Sequence, residues 1–444
     1  EFIFFSKKIV KKLTAFFGKI IFKEEQIPRT YGVLCVKLKG EFKMAKKVVL
    51  AGACRTAIGK NMGQFKDVQA RDLAICAGTE AIKRAGIDPK QCDEIVMGEC
   101  FIGMQGSLPA RQVSMRIGLD ETSNACTVNQ NCASGMRAMD IAANNILLGK
   151  SDISLVVGVE SMTNAPYLLA KARMGYRMGD GKIYDSMLHD GLVDELSGGH
   201  MGLTAENVAE KYGITREECD QIAVRSHNLA CKAIDEGVFK DEIVPYVLHT
   251  RKGDKVIDTD EHPIRNCTME TLAKLKPAFK KDGVITAANA SGINDAAASV
   301  VMMSWEKCQE LGKTPMAKLV TCQAKGVAPE VMGLGPAVAI PKACEKGGVK
   351  FEDIDVFEVN EAFSAQVIGV ERMLKEDYGL TVDWDKTNKF GSGIALGHPV
   401  GCTALRIIVT LVHTMVREDL KLGCASLCVG GGPALASIWS RDFS

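Results

Sequence analysis

Asn129-Gln130-Asn131-Cys132-Ala133-Ser134-Gly135-Met136-Arg137-Ala138 is the stretch from which the rest of the chain is read. Before it, Ala125-Cys126-Thr127-Val128 is short, β-prone and largely apolar. After it, residues 139–148 carry apolar side chains at helical spacing. Cys132 therefore sits where a strand turns into a helix. A thiol placed there faces the unpaired N–H groups and the positive dipole end of the helix, which is expected to lower its pKa. Ala133, Ser134 and Gly135 are small enough for a substrate carbonyl to approach the backbone. A cysteine taken alone is more often a small buried hydrophobe, so the nucleophile reading needs support from elsewhere.

Working outward, the pattern alternates. Strands are predicted at residues 47–50, 94–97 and 153–157, and helices at 72–85 and 108–117. This alternation predicts an α/β fold with a largely parallel sheet and helices on both faces. Between 163 and 292 the rhythm fails, and helices at 204–211 and 216–236 stand without partner strands. Such a segment reads as an insertion that covers or binds. A strand at 299–303 and a helix at 306–311 follow. A second series then runs through 317–322, 338–345, 354–359, 362–376, 404–416 and 426–429. Each series has a glycine-containing loop with a reactive residue, a long helix, and an apolar strand ending in glycine. Two similar halves related by a pseudo-dyad are inferred. The domains are then 44–162 plus 293–314, an inserted loop domain at 163–292, and 315–444, after an N-terminal extension at 1–43.

At 444 residues the chain suits two or three domains, and its 46% apolar and 25% charged residues mark it as globular. Sixteen cysteines occur without a CxxC pair, and seven histidines without an HExxH pattern, so free thiols and no metal site are expected. Residues 1–43 hold ten Lys or Arg against four Glu, whereas the remainder is nearly balanced, which gives no hint of a nucleic-acid surface. Phe5, Ile9, Leu13, Phe16 and Ile20 line one face of a predicted basic helix in that extension. It reads as a membrane-surface helix, a targeting presequence, or non-native residues before a start at Met44. Lysines interrupt its apolar runs short of a transmembrane span. A cytoplasmic location is expected, or the mitochondrial matrix if the extension is a presequence.

Three later motifs support Cys132. Asn360-Glu361-Ala362-Phe363 opens a helix at a strand end. Gly397-His398-Pro399-Val400-Gly401 presents a histidine on a rigid, uncrowded loop, well placed for a base. Cys428-Val429-Gly430-Gly431-Gly432 lets backbone N–H groups point at one spot, the geometry of an oxyanion pocket.

From Met44 to Ser444 these motifs, in this order, resemble the thiolase family. The resemblance implies a duplicated five-layer α-β-α-β-α fold with an inserted loop domain. It implies that Cys132 is the acyl-accepting nucleophile, His398 its base, and Cys428 the thiol that shuttles a proton at the α-carbon of the second acyl-CoA. It implies that Asn360 holds a water which, with His398, stabilises the enolate oxygen. The N–H groups of Cys132 and Gly430 would form a second oxyanion hole. His200-Met201 is similar to the pair that narrows the acyl pocket of short-chain members, with Leu192, Met332 and Phe363 lining it. Ala287 and Ser291 match the loop against the pantetheine arm, and Arg265 matches a partner for a CoA phosphate. The resemblance implies acyl-CoA substrates, a homo-oligomer (dimer or tetramer), and no metal or redox cofactor. It admits a monovalent cation near Ala287, Ala288 and Ala290. Departures are Phe390-Gly391-Ser392-Gly393, Ala133, Cys402-Thr403 and Pro433. The expected activity is acetyl-CoA C-acetyltransferase. Rival readings are a longer-chain 3-ketoacyl-CoA thiolase, a ketoacyl synthase, a cysteine hydrolase and a silent CoA-binding scaffold.

Overall fold

The computed structural model describes residues 4–6, 33–35 and 47–444. Phe4–Ser6 pairs antiparallel with Val33–Cys35 in a small unit of its own. The amphipathic helix expected from Phe5 is not formed at Phe4–Ser6, which is strand, and the rest of it lies outside the described residues.

Residues 46–444 form one compact unit. Its first half contains β1 (Val48–Arg55), α1 (Ala70–Ala85), β2 (Glu94–Gly98), α2 (Pro109–Ile117), β3 (Asn124–Val128), α3 (Ser134–Leu147) and β4 (Ile153–Ser161). The insertion carries α4 (Met201–Tyr212) and α5 (Arg216–Asp235), after which β5 (Asn294–Ser304) completes the half. The second half contains β6 (Ala317–Gly326), α6 (Gly335–Gly347), β7 (Val356–Val359), α7 (Ser364–Tyr378), α8 (Val400–Arg417), β8 (Leu422–Cys428) and β9 (Pro433–Ser440).

The strands run β7-β8-β9-β6-β1-β5-β4-β2-β3. Ala317 opposite Leu50 and Lys318 opposite Val49 join the halves through β6 and β1. Order is repeated: β3-β2-β4-β5-β1 corresponds to a Thr387 bridge beside β7, then β8, β9 and β6. The expected duplication is thus visible in strand order, with Cys132 and His398 following equivalent positions.

The expected parallel sheet is instead mixed. β2 pairs parallel with β3 and β4, and β7 with β8. β5 runs antiparallel to β1 and β4, and β9 to β6 and β8. The reason for β9 is local. Gly432 N donates to Val429 O at 3.1 Å and Val429 N to Pro433 O at 3.0 Å, so Cys428 to Pro433 closes a hairpin, and a short turn enforces antiparallel pairing. The insertion also differs from expectation. It contains hairpins, Tyr167–Leu169 with Ile183–Asp185 and Tyr246–Thr250 with Gly253–Ile257.

Helices α3 and α8 pack together between the two halves of the sheet, forming the middle layer, while α1 and α2 cover the outside of the first half and α6 that of the second. Helix α8 is apolar on almost every side, as a helix buried on all faces must be. Leu405, Ile407, Ile408, Val409, Leu411 and Val412 are all buried, each worth about 1.5–3 kcal/mol of transfer free energy. Among the described residues it is the one helix long and apolar enough to cross a membrane, and 83% of it is buried inside this fold.

Close approach is made by glycine. A Cβ on Gly98, at the end of β2, would lie 2.3 Å from the Ser134 carbonyl carbon at the start of α3. Backbone cannot yield as a side chain would. Gly98→Ala is therefore expected to lower unfolding free energy by about 2–3 kcal/mol in chemical denaturation. Wild-type stability in that variant would contradict the packing described.

Candidate active site

The loop from β3 to α3 is a pinned elbow. Asn131 has φ +46°, a left-handed conformation, and its N–H donates to Asn129 Oδ1 at 2.9 Å. Ser134 Oγ accepts from Gln130 N at 2.9 Å and donates to Asn131 O at 2.7 Å. The chain thus reverses at Asn131 and presents Cys132 to the cavity just before the first turn of α3.

The His398 loop is fixed by other means. Gly397 has φ +104°, and a Cβ there would lie 2.5 Å from Asn294 Cγ. His398 N donates to Asn294 Oδ1 at 2.9 Å, and Asn294 Nδ2 donates to Gly59 O at 3.0 Å. His398 Nε2 lies 3.2 Å from Cys132 Sγ, and its Nδ1 lies 2.6 Å from Thr403 Oγ1. Thr403 Oγ1 also donates to Pro399 O at 2.9 Å. A hydroxyl has one proton, so Thr403 must accept from His398 Nδ1–H. This fixes the tautomer, and the Nε2 lone pair faces the Cys132 thiol.

Electrostatics here depart from the sequence expectation. Burial pushes the Cys132 thiol up to about 11. The N–H groups of Gly430 and of Cys132 itself oppose this without overcoming it. Burial, and then the Arg406 cation, push His398 down to about 3. Desolvation of a charge outweighs the helix end, so the resting pair is neutral thiol and neutral imidazole. The Cys428 thiol is raised too, by burial and then by charge on Cys132.

One cavity of ≈520 Å³ unites the site. Cys132, His398, Cys428 and Gly430 line it, together with Leu192, His200, Met201, Ala287, Ser291, Met332 and Phe363. His200 caps α4 by accepting from Gly202 N at 3.0 Å, and its ring stacks on Phe279 at 4.8 Å. Asn360 is fully buried and does not line the cavity, and neither its Oδ1 nor its Nδ2 has a protein partner. Arg265 is not brought to the cavity. It is exposed and pairs with Asp235 at 2.9 Å, one turn of α5 having taken the guanidinium. Ala288 O already takes His227 Nε2 at 3.2 Å, while Ala287 and Ala290 face the cavity.

Thr403, Asn294 and Phe279 were missed by sequence reasoning. For Thr403 a signal existed, a hydroxyl five residues after the histidine and one helical turn into α8. For Asn294 and Phe279 none did, because their partners are distant in sequence.

A cavity that joins a thiol, an imidazole aimed at it, a second thiol and converging amides is the kind of site an acyl-transferring enzyme needs. Comparison with known proteins is narrower. Residues 48–306 match the family model "Thiolase, N-terminal domain" and residues 313–441 match "Thiolase, C-terminal domain". The chain belongs to the thiolase family. It is 50% identical over 397 residues to an acetyl-CoA acetyltransferase of Syntrophomonas wolfei, covering 89% of this chain and 99% of that protein. A solved acetyl-CoA acetyltransferase from Syntrophomonas wolfei superposes with TM-score 0.89 and 61% identity over 90% of this chain and 100% of that one. Human mitochondrial 3-ketoacyl-CoA thiolase superposes with TM-score 0.86 and 37% identity over 89% of this chain and 99% of that one.

Two outcomes follow from the geometry. Thr403→Val keeps the shape but leaves Nδ1–H unpaired, so acylation of Cys132 in rapid-mixing experiments should slow by about 10–100-fold; an unchanged rate would remove Thr403 from the site. Alkylation of Cys132 by iodoacetamide should rise with pH along a curve centred above that of an ordinary thiol, since burial disfavours the thiolate. A midpoint below neutrality would contradict the neutral resting pair.

Proposed function

We propose that the chain is an acetyl-CoA C-acetyltransferase, which interconverts two acetyl-CoA with acetoacetyl-CoA and CoA. The observation that carries this is the convergence of Cys132, His398 and Cys428 on one cavity, with His398 Nε2 at 3.2 Å from Cys132 Sγ.

In the first half-reaction Cys132 Sγ attacks the thioester carbonyl as its proton passes to His398 Nε2. The Cys132 and Gly430 N–H groups, which converge on the sulfur, would receive the oxyanion. CoA leaves as a thiol with the proton from His398, and the acetyl group remains on Cys132. In the second, Cys428 first passes its thiol proton to His398, freed when CoA left, and the resulting thiolate removes a proton from the methyl carbon of a second acetyl-CoA. The enolate carbon attacks the acetyl-Cys132 carbonyl, and as acetoacetyl-CoA forms the Cys132 sulfur leaves and takes the proton held by His398, while Cys428 keeps the one it removed. His398 Nε2, an acceptor in the neutral ring, donates toward the enolate oxygen once it carries the Cys428 proton, directly or through a water. The fully buried Asn360 amide, which has no protein partner, is assigned such a water. This sequence calls on no metal or redox cofactor.

Met201, which lines the cavity against Gly430, favours a short acyl chain. Met201 Cε would lie 2.5 Å from a Cβ on Gly430, so that side chain presses on the oxyanion-hole glycine. The same reading carries a homo-oligomer, for which Tyr167, Leu168, Met174, Met178 and Ile183 supply exposed apolar surface on the insertion. A cytoplasmic location is part of this proposal.

Purified protein given acetoacetyl-CoA and CoA should consume the absorbance of the enolate–magnesium complex, and a chain-length series should fall off beyond four carbons. Cys132→Ala should give no acetyl adduct by mass spectrometry. Cys428→Ala should still acquire the adduct but lose turnover by about 10³-fold. An adduct in the Cys132 variant, or undiminished turnover in the Cys428 variant, would reverse these roles.

A further inference from the structure

Glu160 lies near the end of β4, fully buried and two residues before Met162 of the cavity wall. Its Oε1 accepts from Phe101 N at 3.1 Å. Its Oε2 accepts from Cys100 N at 3.1 Å and from Gly401 N at 2.8 Å. Gly401 belongs to the first turn of α8, whose N-cap is Pro399, a side chain with nothing to offer. The cap of α8 is thus supplied from another strand, by a carboxylate that also complements the positive helix end.

These contacts organise two parts of the site at once. Phe101, Met162 and Val400 form one small apolar cluster, against which the partly buried Cys132 and Leu192 pack. Phe101 and Val400 are each bonded to Glu160 directly or through the next residue, and Val400 is two residues from His398. Cys100, the third partner, donates its thiol to Asn131 O in the nucleophile elbow at 3.2 Å. One carboxylate therefore ties the elbow, the acyl-pocket wall and the histidine loop together.

We propose that Glu160 is a positioning residue that sets the spacing of His398 from Cys132 and fixes the wall of the acyl pocket. The proposal rests on the acyl-transfer reading for its kinetic readout only.

The groups that face Glu160 are Glu99, Cys100, Cys132 and Cys402. Glu99 is buried with Oε2 unpartnered, and burial and then the Glu160 charge raise it well above the usual carboxylate range, while burial raises Glu160 to about 7 against its N–H donors, so Glu160 is the member of the pair that is charged where Cys132 titrates. That charge opposes ionisation of Cys132. Glu160→Gln preserves volume but has one acceptor oxygen and a donor turned toward the N–H groups.

The full-length Gln variant is expected to lose kcat for acetoacetyl-CoA thiolysis by about 10–100-fold with KM within about three-fold, as misplacement of a positioned base does. Its Cys132 alkylation curve with iodoacetamide should move to lower pH by about half a unit or more, which a purely structural defect would not do. A kcat within two-fold of wild type, or a fall in kcat with an unmoved alkylation curve, overturns the proposal. If the Gln variant does not fold, Glu160→Asp keeps the charge and shortens the reach. It should then lose kcat by about five-fold or more with an unmoved alkylation curve, and wild-type kcat would overturn the proposal. Absence of thiolysis in the wild-type protein would instead sink the functional reading, while the alkylation comparison would still test Glu160.

Discussion

Helices α3 and α8 meet where a Cβ on Gly135 would stand 2.9 Å from Leu405 and one on Gly158 would stand 3.1 Å from it. Gly401 is as confined, with a Cβ there falling 2.8 Å from Glu99 Cα and Glu160 Oε2. This lack of side-chain volume lets two buried helices approach between the halves of one sheet. Because Cys132 precedes α3 and His398 precedes α8, the same approach brings sulfur and imidazole within hydrogen-bond reach. Larger residues at these glycines would push the helices apart and open the catalytic contact.

The site's reactivity follows from its dryness. Burial raises both thiols and lowers His398, so none of these three groups is ionised before substrate arrives. In the proposed acyl transfer charge is created only as the reaction proceeds, and the Cys132 and Gly430 amides, which already converge on the sulfur, are fixed dipoles that would meet it. Thr403 contributes by deciding which nitrogen of His398 carries the proton. Around this centre Arg55 is paired with Glu242 and Asp260, while Glu358, raised to about 8 by burial, stands 3.8 Å from Arg406.

Much of the site was legible because its chemistry is written locally. Cys132, His398 and Cys428 each have glycines or small residues beside them, a pattern that a packed structural residue does not need. Asn360 and Phe363 share a short motif at a strand end, and His200-Met201 sit among glycines at the start of α4. Arg265 misled because a charge in the right segment says nothing of its partner, and Asp235 is closer than the cavity. Asn294 and Glu160 were silent because their partners, His398 and Gly401, stand 104 and 241 residues away.

The fold divides the same way. Alternating apolar runs and glycine punctuation determined by themselves that the chain is a duplicated α/β protein with an insertion, since periodicity is a property of neighbouring residues. They also located the reactive loops, which need only local flexibility and small flanks. The direction of β5 against β1 and β4, the tautomer of His398 and the raised thiols were decided only in three dimensions. Each depends on which distant segments exclude water from a group and which atoms then lie within bonding distance, and neither is encoded at the position where the effect is felt.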